Sequence, residues 1–171
     1  MNQTRTELAP LTVDVAYVVE DRAGVPDSDS LHAWCERALA LSRPPDGPAD
    51  IAVRIVGTDE SRQLNRQFRQ RDAATNVLSF PSGMTAPPPG EALPLGDLVV
   101  CAPLVVSEAA AQDKPPHHHW CHLIVHGTLH LVGYDHQTAD EARQMAGLEC
   151  QVLEFFEIPD PYQFTPTVAF D

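Results

Sequence analysis

One compact domain that mixes strands with helices is the fold class predicted by three observations. The chain has 171 residues, enough for a single core and short for two domains. Segments with apolar residues at period two are interspersed with segments whose apolar residues recur at three and four. No internal repeat and no long polar linker divides them. One domain over 1–171 is therefore expected, with 1–9 and 160–171 irregular.

Residues 11 to 19, LTVDVAYVV, place Leu11, Val13, Val15, Tyr17 and Val19 at period two, as in a strand with one face on the core. The polar DSDS at 27–30 offers N-caps for a helix from about Leu31 to Ser42, with Leu31, Trp34, Cys35, Ala38 and Leu39 along its apolar stripe. The PPDGP run at 44–48 ends it. Ile51, Val53 and Ile55 alternate in a second strand. Gly57 follows, then Thr58, whose hydroxyl can cap a helix carrying Asp59 and Glu60 in its positive first turn and running to about Gln70. On that helix Leu64 and Phe68 share one face, and Arg62, Arg66 and Arg69 form a cationic stripe. Arg62 is read as solvated.

Thr75 to Phe80 reads as a short strand stopped by Pro81, which delivers Asn76 and Arg69 close to a cleft. Residues 81 to 94 hold five prolines and two glycines and read as an exposed loop that forms neither ladder nor helix. Leu95 to Cys101 resumes a strand, and Pro103 suits the first turn of an Ala-rich helix over about 104–112. His117, His118 and His119 cannot all face one ion on a helix and read as an exposed helix start. Thr138-Ala-Asp-Glu141 is a capping box that opens a helix through Met145, Leu148, Val152 and Phe155, stopped by Pro159. The polar face of this helix, with Asp140, Glu141, Glu149, Glu154 and Glu157, reads as solvated.

The formal charge of −13 lacks the global basic excess common in nucleic-acid binders, so any polyanionic substrate must be held by a local patch. The segment MNQTRTELAP has no apolar signal-peptide core, and no stretch reaches the roughly 18 apolar residues of a membrane span, so a soluble, unexported protein is expected. Cys35, Cys101, Cys121 and Cys150 form no C-x-x-C pair and sit in apolar patterns. Buried free thiols are the favoured state, with disulfide pairing left open.

The chemistry concentrates in HGTLHLVGYDH at 126–136. His126 and His130 are four apart and share one helix face. Gly133 can take the left-handed conformation that ends a helix, which lets the chain double back and bring His136 to the same point. Three neutral imidazoles at a tetrahedral zinc leave one open position, the arrangement of a catalytic site. One zinc ion is expected, although imidazoles also tolerate nickel. His122, one turn before His126, is placed behind the ligands, because its extra turn moves it about 5.4 Å farther from His130. The spacing matches that of the H-E-x-x-H-x-x-G-x-x-H metalloproteases, whose Glu is the general base. Gly127 occupies that position here, and a peptidase mechanism without the base loses roughly 10² to 10⁴ in rate. A phosphodiester suits the remaining groups, because a metal polarises a phosphoryl oxygen while a guanidinium grips the phosphate. Arg69 is the candidate clamp, with Arg66 and Asn76 as further substrate contacts in a local positive cleft beside the histidines. Asp135 has two readings, as a base or as a group that orients a ligand or binds backbone amides, and the second is favoured.

HGTLHLVGYDH, LNRQFRQRDAATNVLSFP at 64–81 and LGDLVV at 95–100 together resemble the YbeY family of bacterial rRNA maturation factors. The resemblance covers most of residues 50–157, with three motifs in order. It implies a small α+β fold with a mixed sheet of about four strands packed with several helices, reminiscent of metzincins. It also implies zinc held by His126, His130 and His136, and a catalytic arginine at Arg69. The implied activity is zinc-dependent, single-strand-specific endoribonuclease cleavage in the 3′-end maturation and quality control of small-subunit rRNA. Implied partners are single-stranded RNA, rRNA and proteins of the small ribosomal subunit, and assembly GTPases, in the cytoplasm, with no membrane and no DNA. The chain departs from the family pattern in the proline-rich loop at 81–94 and in the PPHHHW start of the metal helix. Two other readings are weighed: a ribosome-assembly factor with a structural zinc, and a metallopeptidase.

Overall fold

The computed structural model describes residues 9–162, so most of the expected irregular termini lie outside the described residues. Four strands and five helices follow one another as β1 (Leu11–Tyr17), α1 (Ser28–Leu41), β2 (Ala49–Val56), α2 (Thr58–Arg69), β3 (Val77–Pro81), β4 (Leu93–Cys101), α3 (Ala102–Ala111), α4 (Pro116–Leu131) and α5 (Ala139–Phe155). The sheet has the order β1-β2-β4-β3. β1, β2 and β4 are parallel, and β3 runs antiparallel to β4 at the edge. The α+β architecture with a mixed four-stranded sheet agrees with the fold expected from the sequence.

Caps and breakers explain most boundaries. The Asp27 carboxylate accepts from the Ser30 amide at 2.8 Å and starts α1. The Thr138 hydroxyl accepts from the Glu141 amide at 3.1 Å and starts α5. At α2 the cap is Gly57, and Thr58 is already helical, so its hydroxyl does not cap. Asp59 and Glu60 in the first turn complement that bare end of the helix. Proline at the start of α4 fits a turn whose amides lack intrahelical partners.

β4 begins earlier than its alternation suggests and takes Leu93 and Pro94 into the ladder. The register opposite β2 shifts there, pairing Asp50 with Pro94 and Ile51 with Gly96, so Leu95 is the extra residue of a bulge. A bulge is where a strand accepts a proline. Gly96 has φ +141°, and a Cβ there would stand 2.2 Å from the Phe80 carbonyl oxygen. Glycine thus lets the edge strand lie tightly against β4.

The main core lies on one face of the sheet. Ile51, Val53, Ile55, Leu98 and Val100 meet Leu31, Trp34 and Leu39 of α1, Leu123, Ile124 and Leu129 of α4, and Met145, Val152 and Leu153 of α5. On the other face, Leu64 of α2 and Phe80 pack against Val56, Leu78 and Val99. α4 is buried continuously from His119 to Leu129, which brings four histidine-bearing turns into or beside the core. Cys35, Cys101 and Cys121 are buried free thiols as expected, while Cys150 is only half-buried. Burial pushes the Cys35 thiol up to about 11, which suits packing and not nucleophilic chemistry. Among the described residues, no helix is long and apolar enough to cross a membrane.

Candidate metal centre

His126 and His130 occupy the last two turns of α4, and a tight reversal returns His136 to them. The Gly133 amide donates to the His130 carbonyl at 3.1 Å, and the Tyr134 amide donates to the Leu129 carbonyl at the same length. Gly133 has φ +99°, the left-handed region that the reversal demands. From the end of α1, Arg43 Nη1 donates to the Val132 carbonyl at 2.8 Å, and its guanidinium stacks 4.3 Å from the Tyr134 ring centre. The Asp135 carboxylate accepts from the His136 amide at 2.8 Å, a backbone-binding role in line with the favoured reading.

The donor atoms of His126, His130 and His136 all lie within 4.8 Å of one another. The Nε2 atoms of His126 and His130 are 3.1 Å apart. Two ligands at about 2.0 Å in a tetrahedron stand roughly 3.3 Å apart, so this pair is near ligand spacing. Among the described residues, His136 Nε2 is buried with no hydrogen-bond partner, an orphan that a cation would satisfy. Burial, with His126 and His136 alongside, pushes the His130 imidazole down to about 4, keeping it neutral and able to donate a lone pair. The three residues fit a divalent metal.

A cavity of about 420 Å³ opens beside them, lined by Arg69, Ser79, His130, Tyr134, Asp135 and His136 among others. Arg69 enters from the end of α2, where Nη2 donates to the Ser79 carbonyl of the edge strand at 3.0 Å. Arg69 therefore shares the cavity with two of the histidines, His130 and His136. Arg66 does not line it. Asn76 is also absent from the lining and is committed elsewhere: Nδ2 donates to Glu108 at 2.9 Å, and Oδ1 accepts from the Val77 amide at 2.7 Å. At 7% exposure it ties β3 to α3.

Sequence reasoning missed Glu149. This carboxylate, assigned to a solvated face, is fully buried. Its Oε1 accepts from His126 Nδ1 at 2.5 Å, and Oε2 lies 3.3 Å from His122 Nε2. Burial opposes its ionisation, but the hydrogen bonds from His122 and His126 outweigh burial and hold it well below the usual carboxylate range. A proton fixed on Nδ1 puts the imidazole lone pair of His126 on Nε2, the atom that faces His130 Nε2. The missed signal was positional: 149 lies four after Met145 and three before Val152, on the apolar stripe of α5. His122 thus sits behind the three histidines, against Glu149. The histidine run also needs correcting, since only its start is exposed. His119 is fully buried, with Nε2 3.2 Å from Glu108 of α3, because α3 packs against this turn of α4.

Gly127 is required by packing. A Cβ there would stand 2.8 Å from Leu98 Cδ2 and 3.2 Å from Ser79 Oγ. The position that carries Glu in metalloproteases of this spacing is pressed against the sheet here, with no room for a carboxylate.

A mixed sheet crossed by a buried helix, with three histidines gathered at its end beside an arginine, defines a small α+β protein with a candidate metal site. Residues 19–157 match the family Endoribonuclease YbeY, and the chain belongs to that family. Proteins named Endoribonuclease YbeY from Alkalilimnicola ehrlichii and Halorhodospira halophila are similar to it. The first is 51% identical over 90% of this chain and 92% of the relative, the second 47% over 88% and 97%. A third, from Cellvibrio japonicus, is 49% identical over 81% of this chain and 76% of the relative. The solution structure of a Thermotoga maritima protein shares the fold, with a TM-score of 0.53 at 23% identity, covering 89% of this chain and 99% of that one.

Proposed function

We propose that the protein is a zinc-dependent endoribonuclease that cuts single-stranded RNA, with small-subunit rRNA and its 3′ end as the substrate. It would act in the cytoplasm, in rRNA maturation and ribosome quality control, beside small-subunit proteins and assembly GTPases. Family membership supports the reaction class, cleavage within RNA. The observation that carries the reading at the level of residues is Arg69 and the histidine cluster on one cavity. One domain over the whole of 1–171 is part of the same proposal.

His126, His130 and His136 would hold the ion. Bound there, zinc supplies Lewis acidity at a phosphoryl oxygen and lowers the pKa of a coordinated water. Arg69 grips the phosphate, and its link to the Ser79 carbonyl holds the guanidinium at the cavity wall so that little is reorganised as charge develops. Glu149 holds the His126 proton at Nδ1. Among the described residues Asp135 is the carboxylate that lines the cavity, and its Oδ1 accepts the His136 amide. The acidic chain needs few phosphate contacts if recognition is local, which predicts a shallow salt dependence of RNA binding.

The test is cleavage of a single-stranded fragment spanning the 3′ end of small-subunit rRNA against its duplex form. The expected result is cutting of the single strand, lost on chelation and restored by zinc. Equal cutting of both forms, or cutting that persists after chelation, would overturn the reading.

A further inference from the structure

The segment after α5 doubles back towards the metal centre. The Ile158 amide donates to the Leu153 carbonyl at 2.9 Å, and Ile158 is buried against the core. The Asp160 carboxylate accepts from the Tyr162 amide at 2.8 Å and lies 3.4 Å from Cys150 Sγ. These contacts turn the chain so that the Tyr162 ring stands edge-on to His122, with ring centres 5.4 Å apart at 88°. Its hydroxyl donates to Oε2 of Glu149, the oxygen not used by His126.

We propose that Tyr162 is a positioning residue for the metal, with 156–162 acting as a strap. Its hydroxyl fixes the rotation of the Glu149 carboxylate, and Glu149 in turn fixes the tautomer and tilt of His126. The inference rests on the three histidines being a metal site.

The physical chain runs in three links. His126 must carry its proton on Nδ1 to offer Nε2 as a ligand, and Glu149 is the acceptor that selects this tautomer. A buried carboxylate with four lone-pair sites keeps one orientation only when both oxygens are engaged. His122 engages Oε2 at 3.3 Å, a long contact, so the hydroxyl of Tyr162 is the group that completes its coordination. Glu149 comes from α5, His126 from α4 and Tyr162 from the strap, so the histidine cluster feels how residues 156–162 are seated.

The test measures zinc affinity of the full chain by competition with a chromophoric chelator, for wild type, Tyr162→Phe, Glu149→Gln and the double variant. Losing a group that supports a ligand from behind weakens metal binding roughly 10- to 100-fold, and Glu149→Gln is expected in that range. Tyr162→Phe keeps the ring and is expected to weaken binding about tenfold, at the lower end of the range. The double variant is expected to bind no more weakly than Glu149→Gln alone, since the hydroxyl acts through the carboxylate. The metal-free thermal midpoint of Tyr162→Phe should stay close to wild type. Wild-type affinity in Tyr162→Phe, or additive losses in the double variant, would overturn the proposal. A wild-type chain that binds no zinc would overturn both this inference and the metal-site reading. Tight wild-type zinc binding with an unaffected Tyr162→Phe would remove the strap alone. If Glu149→Gln does not fold, Tyr162→Phe decides the question by itself.

Discussion

Arg69 donates to the carbonyl of Ser79 at 3.0 Å, which binds the last residue of α2 to the edge strand at the rim of the histidine cavity. The guanidinium is held by backbone, so its position depends on the β3 edge and not on a flexible partner. Arg69→Ala is expected to lower RNA cleavage on the order of a hundredfold or more while zinc content persists. Unfolding free energy should move by less than about 0.5 kcal/mol, because the side chain is exposed. Arg69→Lys should restore little, since an ammonium cannot reproduce two-point phosphate recognition. Single-turnover cleavage beside urea unfolding checks both statements.

Gly127 and Leu98 set the distance between α4 and the sheet. Gly127→Ala is expected to cost about 1–3 kcal/mol, because the buried Leu98 side chain must shift to admit the methyl group. Gly127→Glu, which restores the metalloprotease pattern on paper, should fail to fold and not become a peptidase. Denaturant melts with a casein digestion assay test this, and a folded, proteolytic Gly127→Glu protein would show that the packing argument is mistaken.

Glu108 gives a stability term with a defined pH sign. Burial alone would raise its carboxyl pKa, but hydrogen bonds from His119 and Asn76 outweigh burial and hold it below its ordinary value. Between the folded and unfolded pKa values the unfolded chain binds more protons, so stability rises with pH there. The contribution is present at neutral pH and disappears as pH falls through the folded value. Glu108→Gln should be less stable than wild type at neutral pH, with the gap closing in acid. Urea midpoints followed across pH check this, and parallel curves would contradict it.

Gly133 carries the reversal that returns His136 to the cluster. Gly133→Ala forces a side chain into φ +99° and places a Cβ 2.8 Å from Arg43 Nη1. Stability should fall by roughly 1–2 kcal/mol, and zinc binding should weaken with it as His136 shifts. Calorimetry and chelator competition on one preparation would show whether the two losses move together.

Much of this was legible in the chain. Alternation in 11–17 and 51–55 located strands because one face meets the core, and the spacing of His126, His130 and His136 with Gly133 foretold that three imidazoles lie together because helix geometry leaves little freedom. Contacts between distant elements were not legible. Glu149 reads as one more acid on an acidic helix until α4 supplies its two histidines. His119 reads as a surface residue until α3 brings Glu108, and Asn76 reads as a cleft residue until the same Glu108 claims it. Pro94 looked incompatible with a ladder because a bulge opposite Asp50 and Ile51 leaves no local signal.

The central claim is that one metal held by three histidines works with Arg69 on a single-stranded RNA. Elemental analysis and cleavage of a small-subunit rRNA fragment, measured on the same preparations of wild type and Arg69→Ala, test it most directly. The account predicts about one zinc per chain in both proteins, with cleavage in the wild type alone. Undiminished cleavage by zinc-loaded Arg69→Ala, or a fully active wild type without metal, would contradict it.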